Sequence, residues 1–239
     1  MIKTNTISQT SLVAAFMYSI LATAGLFYVN LGGAFLSAFV DGLEIGRDEA
    51  GFIVSANKYG AAFGALIATF LVKTIPWRKS AAILLVLMIL IDIISSQITD
   101  PQSLIFVRFI HGTIGGISVG IGLSVIARTV DPDKIFGMLL AVQYSFGSLG
   151  IWTVPRLVDA FGHMAVFGVL SLFSIMTLLI LPFIPDVKTK KINETGFKFN
   201  ISYLLIFALL ALFLFQASNM GVADYAFELG KDIGLVNNR

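Results

Sequence analysis

The sequence predicts an all-α integral membrane protein. Hydrophobic residues make up 57% of the chain and charged residues only 13%, whereas about a quarter of the residues of a soluble domain are charged. The mean hydropathy is +0.90, and apolar runs near the ~20 residues that cross a bilayer as a helix recur along the chain. Because backbone polar groups must be satisfied inside the bilayer, runs of this length indicate helices.

Seven apolar segments are predicted to cross the membrane. They cover residues 11–38, 49–72, 80–97, 103–127, 135–157, 164–184 and 201–222. The first is longer than a signal-peptide core of about 7–15 residues, so we interpret it as an uncleaved membrane helix. Short connections such as Thr99-Asp100-Pro101 and Asp131-Pro132-Asp133 are typical of turns. Only the sixth connection is longer, and it holds four lysines.

The distribution of Lys and Arg predicts a cytoplasmic amino terminus in the inner or plasma membrane. With this orientation ten of the 16 basic residues lie on the inner side, four lie on the outer side, and Lys58 and Arg108 lie within helices. Membrane proteins carry an excess of Lys and Arg in their cytoplasmic loops. After an odd number of crossings the carboxyl end is expected outside.

Several functional classes lack support in the sequence. No cysteine is present and the two histidines, His111 and His163, lie far apart, so no metal site is predicted. The net charge of +2 comes with no basic, aromatic-interleaved patch, which argues against nucleic-acid binding. The glycine-rich run 112–120 follows no strand and no Lys-Ser/Thr pair closes it, so it is not a phosphate loop. We therefore expect no enzyme, no cofactor and no metal.

The fourth crossing combines a charge with a stripe of small residues. Gly112, Gly116 and Gly120 recur every fourth residue, so they share one helix face and favour close packing against a neighbouring helix. Arg108 and His111 lie at the beginning of this stripe. An unpaired charge in hydrocarbon costs several kcal/mol, so Arg108 is expected to face protein or water.

Three charged residues lie at similar predicted depth. Lys58, Asp92 and Arg108 each fall about 8–14 Å from the outer ends of their helices at ~1.5 Å per residue. The third and fourth crossings are joined by a short turn, which favours an Asp92–Arg108 pair. One interpretation is a static ion pair that sets helix register; the other is a cavity group that binds an anion or changes partner on protonation. His111 has the same two interpretations, a structural hydrogen-bonded histidine or a proton-coupling group.

Amides on other crossings are candidates to bind a substrate. Asn30 and Asn57 lie on the first two crossings, and Gln143 lies on the fifth. The alternative for each is an interhelical hydrogen bond worth about 1 kcal/mol. Lys58 and Arg108 favour a small solute that carries negative charge.

The seventh crossing ends in a polar stretch. Gly221 is predicted to interrupt the helix, as in helices that line transporter sites. Asp224 and Glu228 are four residues apart and share a helix face. They are candidates for ion coupling, with solvated residues of a helix end as the alternative.

Three motifs resemble the major facilitator superfamily of transporters. Arg108-Phe-Ile-His-Gly112-Thr-Ile-Gly115-Gly116 resembles the arginine–glycine motif of the family's fourth helix. Gly64 followed by Arg78 and Lys79 resembles its glycine and basic motif at the second cytoplasmic turn, although the family's aspartate would fall near Ala68 and is absent. The lysine-rich connection resembles its central linker.

The resemblance implies a six-helix amino-terminal bundle at residues 1–185, a basic cytoplasmic linker at 186–200, and the first helix of a second bundle at 201–239. It also implies alternating-access transport of a small solute, with Gly64, Arg78 and Lys79 in a cytoplasmic gate. We interpret the chain as truncated after the seventh helix and expect the fragment alone to be inactive, since a second bundle or another chain would complete the cavity.

Two other functions fit the sequence. The first is a short membrane interaction protein that pairs with or regulates a full-length transporter. The second is a seven-helix receptor, which the cytoplasmic amino terminus disfavours.

Overall fold

The computed structural model describes residues 7–187 and 202–235, except for the side chain of Phe227. The chain divides into two compact units, Met1–Val187 and Lys188–Arg239. Beyond Val187, the predicted linker at 186–200 lies outside the described residues. The same is true of Lys3 and Arg239.

The regular elements of the described residues are helices. They are α1 (Leu12–Asn30), α2 (Gly32–Leu43), α3 (Arg47–Leu71), α4 (Trp77–Ser95), α5 (Pro101–Ile126), α6 (Pro132–Phe161), α7 (Met164–Ile180) and α8 (Tyr203–Asp232). A short 3-10 turn at Leu181–Phe183 follows α7.

Five helices of the described residues are long and apolar enough to cross a membrane: α1, α5, α6, α7 with its 3-10 turn, and α8. The predicted all-α membrane fold is therefore confirmed. Helices α3 and α4 have 25 and 19 residues but are more polar, because α3 carries Lys58 and α4 carries Arg78, Lys79 and Asp92. That these two also cross the membrane stays a prediction.

The first predicted crossing is not one helix, which corrects the sequence analysis. The α-helical backbone stops at Asn30, and Leu31 has φ −100° and ψ 8° before α2 begins at Gly32. Gly32 and Gly33 follow the break, and glycine is about 1 kcal/mol less favourable than alanine inside a helix. The glycine pair therefore favours a break at this point.

In the seventh predicted crossing a break is expected where the helix is continuous. Helix α8 continues through Gly221 to Asp232, so the predicted interruption is wrong. A single glycine weakens a helix by about 1 kcal/mol, which the many alanine and leucine residues along α8 outweigh.

Helix starts follow local capping chemistry. Ser11 caps α1, Asp100 caps α5 and Asp131 caps α6, each by accepting a hydrogen bond from a backbone N–H three residues later. Proline follows both aspartates at the first helical position, where a missing N–H costs nothing. The predicted turns at 99–101 and 131–133 are thus helix starts.

Helix α5 lies at the centre of the first unit. It packs against α1, α3 and α4, while α7 packs against α4, α6 and α1. Aromatic rings fill the space between α1 and α7, where Phe27 stacks on Phe173 with ring centroids 4.3 Å apart. Helix α5 therefore contacts three other helices of this unit.

Candidate functional site

The glycine stripe of α5 meets a second glycine stripe on α3. A Cβ atom built on Gly112 would lie 2.0 Å from the carbonyl oxygen of Asn57, and one on Gly116 would lie 2.0 Å from that of Ala61. A Cβ on Gly60 would lie 2.1 Å from the carbonyl oxygen of Phe109. Real Cβ atoms do not approach so closely, so the two backbones are in direct contact. The predicted close packing of the stripe is confirmed.

Two further glycines from the sequence analysis, Gly64 and Gly120, also lie in the interface between α3 and α5. A Cβ on Gly64 would lie 2.0 Å from the carbonyl oxygen of Thr113, so Gly64 packs within the α3–α5 interface, and its role in a gate stays a prediction. Gly120 faces the side chain of Ala68 at 2.2 Å on the same criterion. Ala68, near which the resemblance would place an aspartate, is thus part of the packing surface.

A buried ion pair joins α4 to α5. The Nη1 atom of Arg108 donates to Oδ1 of Asp92 at 2.7 Å, and both side chains are fully buried. The predicted contact between these two residues is confirmed. Because Arg108 lies inside the bundle, it faces protein in this structure and not an open cavity.

His111 and Asn57 complete a polar cluster with this pair. Nδ1 of His111 lies 2.9 Å from Nδ2 of Asn57 and 3.0 Å from Nη2 of Arg108. Asn57 also donates from Nδ2 to the carbonyl oxygen of Arg108 at 3.1 Å. Nε2 of His111 lies 3.3 Å from Oδ1 of Asp92, at ion-pair distance but outside hydrogen-bond alignment. The cluster connects α3, α4 and α5.

Aromatic rings from three other helices enclose the guanidinium group. The central carbon of Arg108 lies 4.6 Å from the ring centroid of Tyr28, 5.4 Å from that of Phe167 and 5.8 Å from that of Phe35. Cation–π contacts of this kind stabilise a cation where water is excluded. Tyr28 and Phe35 lie on either side of the break at Leu31, so the break is next to the charged cluster.

The sequence analysis did not identify these three rings. Phenylalanine and tyrosine are frequent in membrane helices, and nothing in their spacing distinguishes a ring over a guanidinium from a ring in lipid.

Two of the predicted substrate ligands bind each other. Nδ2 of Asn30 donates to the backbone oxygen of Gln143 at 3.2 Å, and Nε2 of Gln143 donates to Oδ1 of Asn30 at 3.3 Å. Both side chains are half-buried. Asn30 is the last residue of α1, so this amide pair joins the break in the first crossing to α6.

The remaining candidates are Lys58 in the first unit and two carboxylates in the second unit. Lys58 is half-buried on α3, next to Asn57. In the second unit Nζ of Lys231 donates to Oε1 of Glu228 at 3.0 Å in an ion pair, and Asp224 is partly exposed one turn earlier on α8. Ion coupling by these carboxylates stays a prediction. Among the described residues no three His, Cys, Asp or Glu side chains gather at one point that would suit a metal.

The basic motif binds helix ends of its own unit. Arg78 donates from Nη1 to the carbonyl oxygen of Pro182 at 3.0 Å and from Nη2 to that of Ile184 at 2.6 Å. Arg128, which the sequence analysis did not single out, donates to the carbonyl oxygen of Val72 at the end of α3 at 2.8 Å. Cations at helix carboxyl ends are favourable because those carbonyls lack helical partners. Lys79 is exposed, and the gate role of this motif stays a prediction.

A small cavity of about 60 Å³ lies between the starts of α1 and α6. Its walls are formed by Gln9, Thr10, Ser11, Ala15, Asp131, Lys134 and Ile135. Ligand pockets usually measure about 300–1,000 Å³, so this cavity is too small to hold a typical small-molecule ligand.

The chain is similar in sequence to two known transporters. It is similar to solute carrier family 2, facilitated glucose transporter member 9, of Pongo abelii, with 30% identity over 203 residues, or 74% of this chain and 34% of that protein. Identity to the protein of the same name from Homo sapiens is 29% over 203 residues, or 74% of this chain and 36% of that protein. The chain thus spans about a third of the length of these relatives.

No protein-family model matches the chain. The relatives are named as transporters and not as enzymes, in agreement with the sequence analysis. The chain is therefore an integral membrane protein that is similar in sequence to facilitated glucose transporters.

Proposed function

We propose that the chain forms the amino-terminal bundle of a major facilitator transporter that moves a small, uncharged polar solute by alternating access. The similarity to facilitated glucose transporters over 74% of the chain carries this proposal. The three sequence motifs and the tightly packed membrane helices agree with it. In such a transporter the solute binds near the midplane, and the two bundles rock around it.

An uncharged solute replaces the anionic one of the sequence analysis. That prediction depended on Arg108 and Lys58. The charge of Arg108 is balanced at 2.7 Å by Asp92, and a paired, enclosed guanidinium has little charge to offer a ligand. The relatives are named as facilitated glucose transporters, which supports a neutral polyhydroxy compound.

The proposed contact points are Asn30 and Gln143. Both amides are half-buried beside the break at Leu31, and irregular backbone within a membrane helix is tolerated where it lines a site. An amide offers both donors and acceptors, which suits a hydroxyl group. The two amides bind each other, so a solute would exchange one amide–amide hydrogen bond for hydroxyl–amide bonds at little net cost.

Saturation-transfer NMR with the 239-residue chain in nanodiscs tests this proposal. We expect transfer to glucose and none to gluconate, which has a similar size and a negative charge. Gln143→Leu should weaken glucose binding by about tenfold, since each lost hydrogen bond is worth about 0.5–1.5 kcal/mol. The exposed Ser145→Ala on the same helix serves as the control.

Preferred transfer to gluconate would contradict the uncharged solute. Equal glucose binding by Gln143→Leu would remove this residue from the site, and absence of transfer to either compound would contradict a solute site in this bundle.

A further inference from the structure

The hydrogen bonds around His111 define its protonation. Nδ1 of His111 faces two nitrogen atoms, Nδ2 of Asn57 at 2.9 Å and Nη2 of Arg108 at 3.0 Å. A guanidinium has donors and no acceptor. Nδ1 must therefore carry the lone pair that accepts these bonds.

The orientation of the Asn57 amide follows from a second contact. Its Nδ2 atom also lies 3.1 Å from the carbonyl oxygen of Arg108. If the amide were turned around, two oxygen atoms would face each other there without a proton. The amide nitrogen therefore belongs at this position and donates to both Nδ1 and the carbonyl oxygen.

We infer that Asn57 is a positioning residue: together with Arg108 it holds His111 as the neutral tautomer protonated at Nε2, so that Nδ1 accepts from the guanidinium that pairs with Asp92. In this tautomer Nε2–H lies on the side of Asp92, 3.3 Å from Oδ1. Nδ1 is a second acceptor for the guanidinium, which is held between a carboxylate and an imidazole.

A proton added to His111 would oppose this arrangement. The charged imidazole has donors on both nitrogens, so Nδ1–H would face two other donors in a fully buried site. The charged group that faces the ring from α4 is Asp92, and the one on α5 is Arg108. The ring of Tyr28 on α1 lies 6.3 Å away between centroids. The single carboxylate is already matched by the guanidinium, so a second cation would leave the cluster with net charge +1.

The cluster is thus a neutral structural link between α3, α4 and α5. It makes His111 an acceptor for Arg108, in place of the proton-coupling role that the sequence left open. The inference does not depend on which solute the protein carries.

Nitrogen-15 NMR of histidine-labelled protein in nanodiscs tests the inference. The chain has two histidines, so His163→Gln leaves His111 as the sole labelled imidazole. At pH 6 we expect one unprotonated nitrogen at Nδ1 and one protonated nitrogen at Nε2. A spectrum with two protonated nitrogens, with the proton on Nδ1, or averaged between forms would overturn the inference.

Substitution of Asn57 should change the protonation of His111, which is a more specific readout than a loss of stability. In Asn57→Asp the carboxylate replaces the donor by an acceptor, so the proton of His111 should move to Nδ1 or both nitrogens should be protonated. Asn219→Asp, the same change at an exposed position of α8, should leave the spectrum unchanged. An unchanged tautomer in folded Asn57→Asp would show that Asn57 does not position the ring. If that variant does not fold, the spectrum of the His163→Gln protein alone decides the tautomer.

Discussion

Two sides of α5 hold the bundle together by different means. Toward α3 the helix presents Gly112 and Gly116, and the backbones touch with no room for a side chain. Toward α4 it presents Arg108, whose charge is matched by Asp92 in a contact that excludes water. The first contact is specified by size and the second by charge. Different substitutions should therefore destabilise each contact, and a second substitution should restore stability only at the ion pair.

A large effect is expected from a single methyl group in the glycine contact. In Gly116→Ala the new Cβ would lie 2.0 Å from the carbonyl oxygen of Ala61, and a helix backbone cannot give way as a flexible side chain can. Overpacking a well-packed core costs about 1–3 kcal/mol or more, and we expect the upper end together with a reduced yield of monodisperse protein.

Gly168→Ala is the matched control, because a Cβ there meets nothing within 4 Å. It should be neutral or stabilise α7 by up to about 1 kcal/mol, through helix propensity. Thermal unfolding of both variants in the same detergent measures the difference. Equal melting temperatures would show that size does not specify the α3–α5 contact.

The ion pair should give a large single effect that a second substitution reverses. Arg108→Met leaves Asp92 buried without its partner, and loss of one member of a buried pair costs about 3–5 kcal/mol. In Asp92→Leu with Arg108→Met both charges are absent, so the double variant should be more stable than the sum of the two single changes predicts. A double-mutant cycle from unfolding free energies measures this coupling. Additive effects would mean that the pair contributes no mutual stabilisation.

The smallest effect is expected from His163, a titratable residue whose backbone packs closely against Gly42. A Cβ on Gly42 would lie 3.1 Å from the backbone nitrogen of His163. Burial lowers the pKa of His163, and a hydrogen bond with the backbone of Ser96 opposes part of this shift. A lowered pKa means that the folded state disfavours the protonated ring. The stability linked to this group is thus complete above the unfolded value of about 6.5 and declines as the pH falls through it.

Melting temperatures of the wild type and His163→Gln measure this dependence. The wild type should lose stability relative to the variant as the pH falls from 7.5 to 5.5, by a few degrees at most. A melting-temperature difference that stays constant across this range would show that His163 does not cause the pH dependence. The effect of Gly116→Ala should not depend on pH in this range, because the glycine contact contains no titratable group.

Several parts of the fold and site could be predicted from local patterns. The positions of Gly112, Gly116 and Gly120 define one face of a helix, and a face without side chains can only be a packing surface or a gap. The Asp92–Arg108 contact followed from two charges at similar depth on helices joined by a short turn. The break at Leu31 had a local signal, Gly32-Gly33, but Gly221 had a similar one and α8 remains continuous. A glycine lowers helix stability, and whether the helix breaks there depends on how strongly the residues around it favour the helix.

The sequence by itself determined that the chain is an all-α membrane protein, because hydropathy and segment length depend only on the order of residues. It also determined which side of α5 is free of side chains. Only the tertiary structure decided that Asn57 reaches His111, that Tyr28, Phe35 and Phe167 enclose Arg108, and that Asn30 binds Gln143. These contacts join residues that are distant in sequence, and the rotation of each helix about its axis selects them. That rotation depends on how all the helices pack at once.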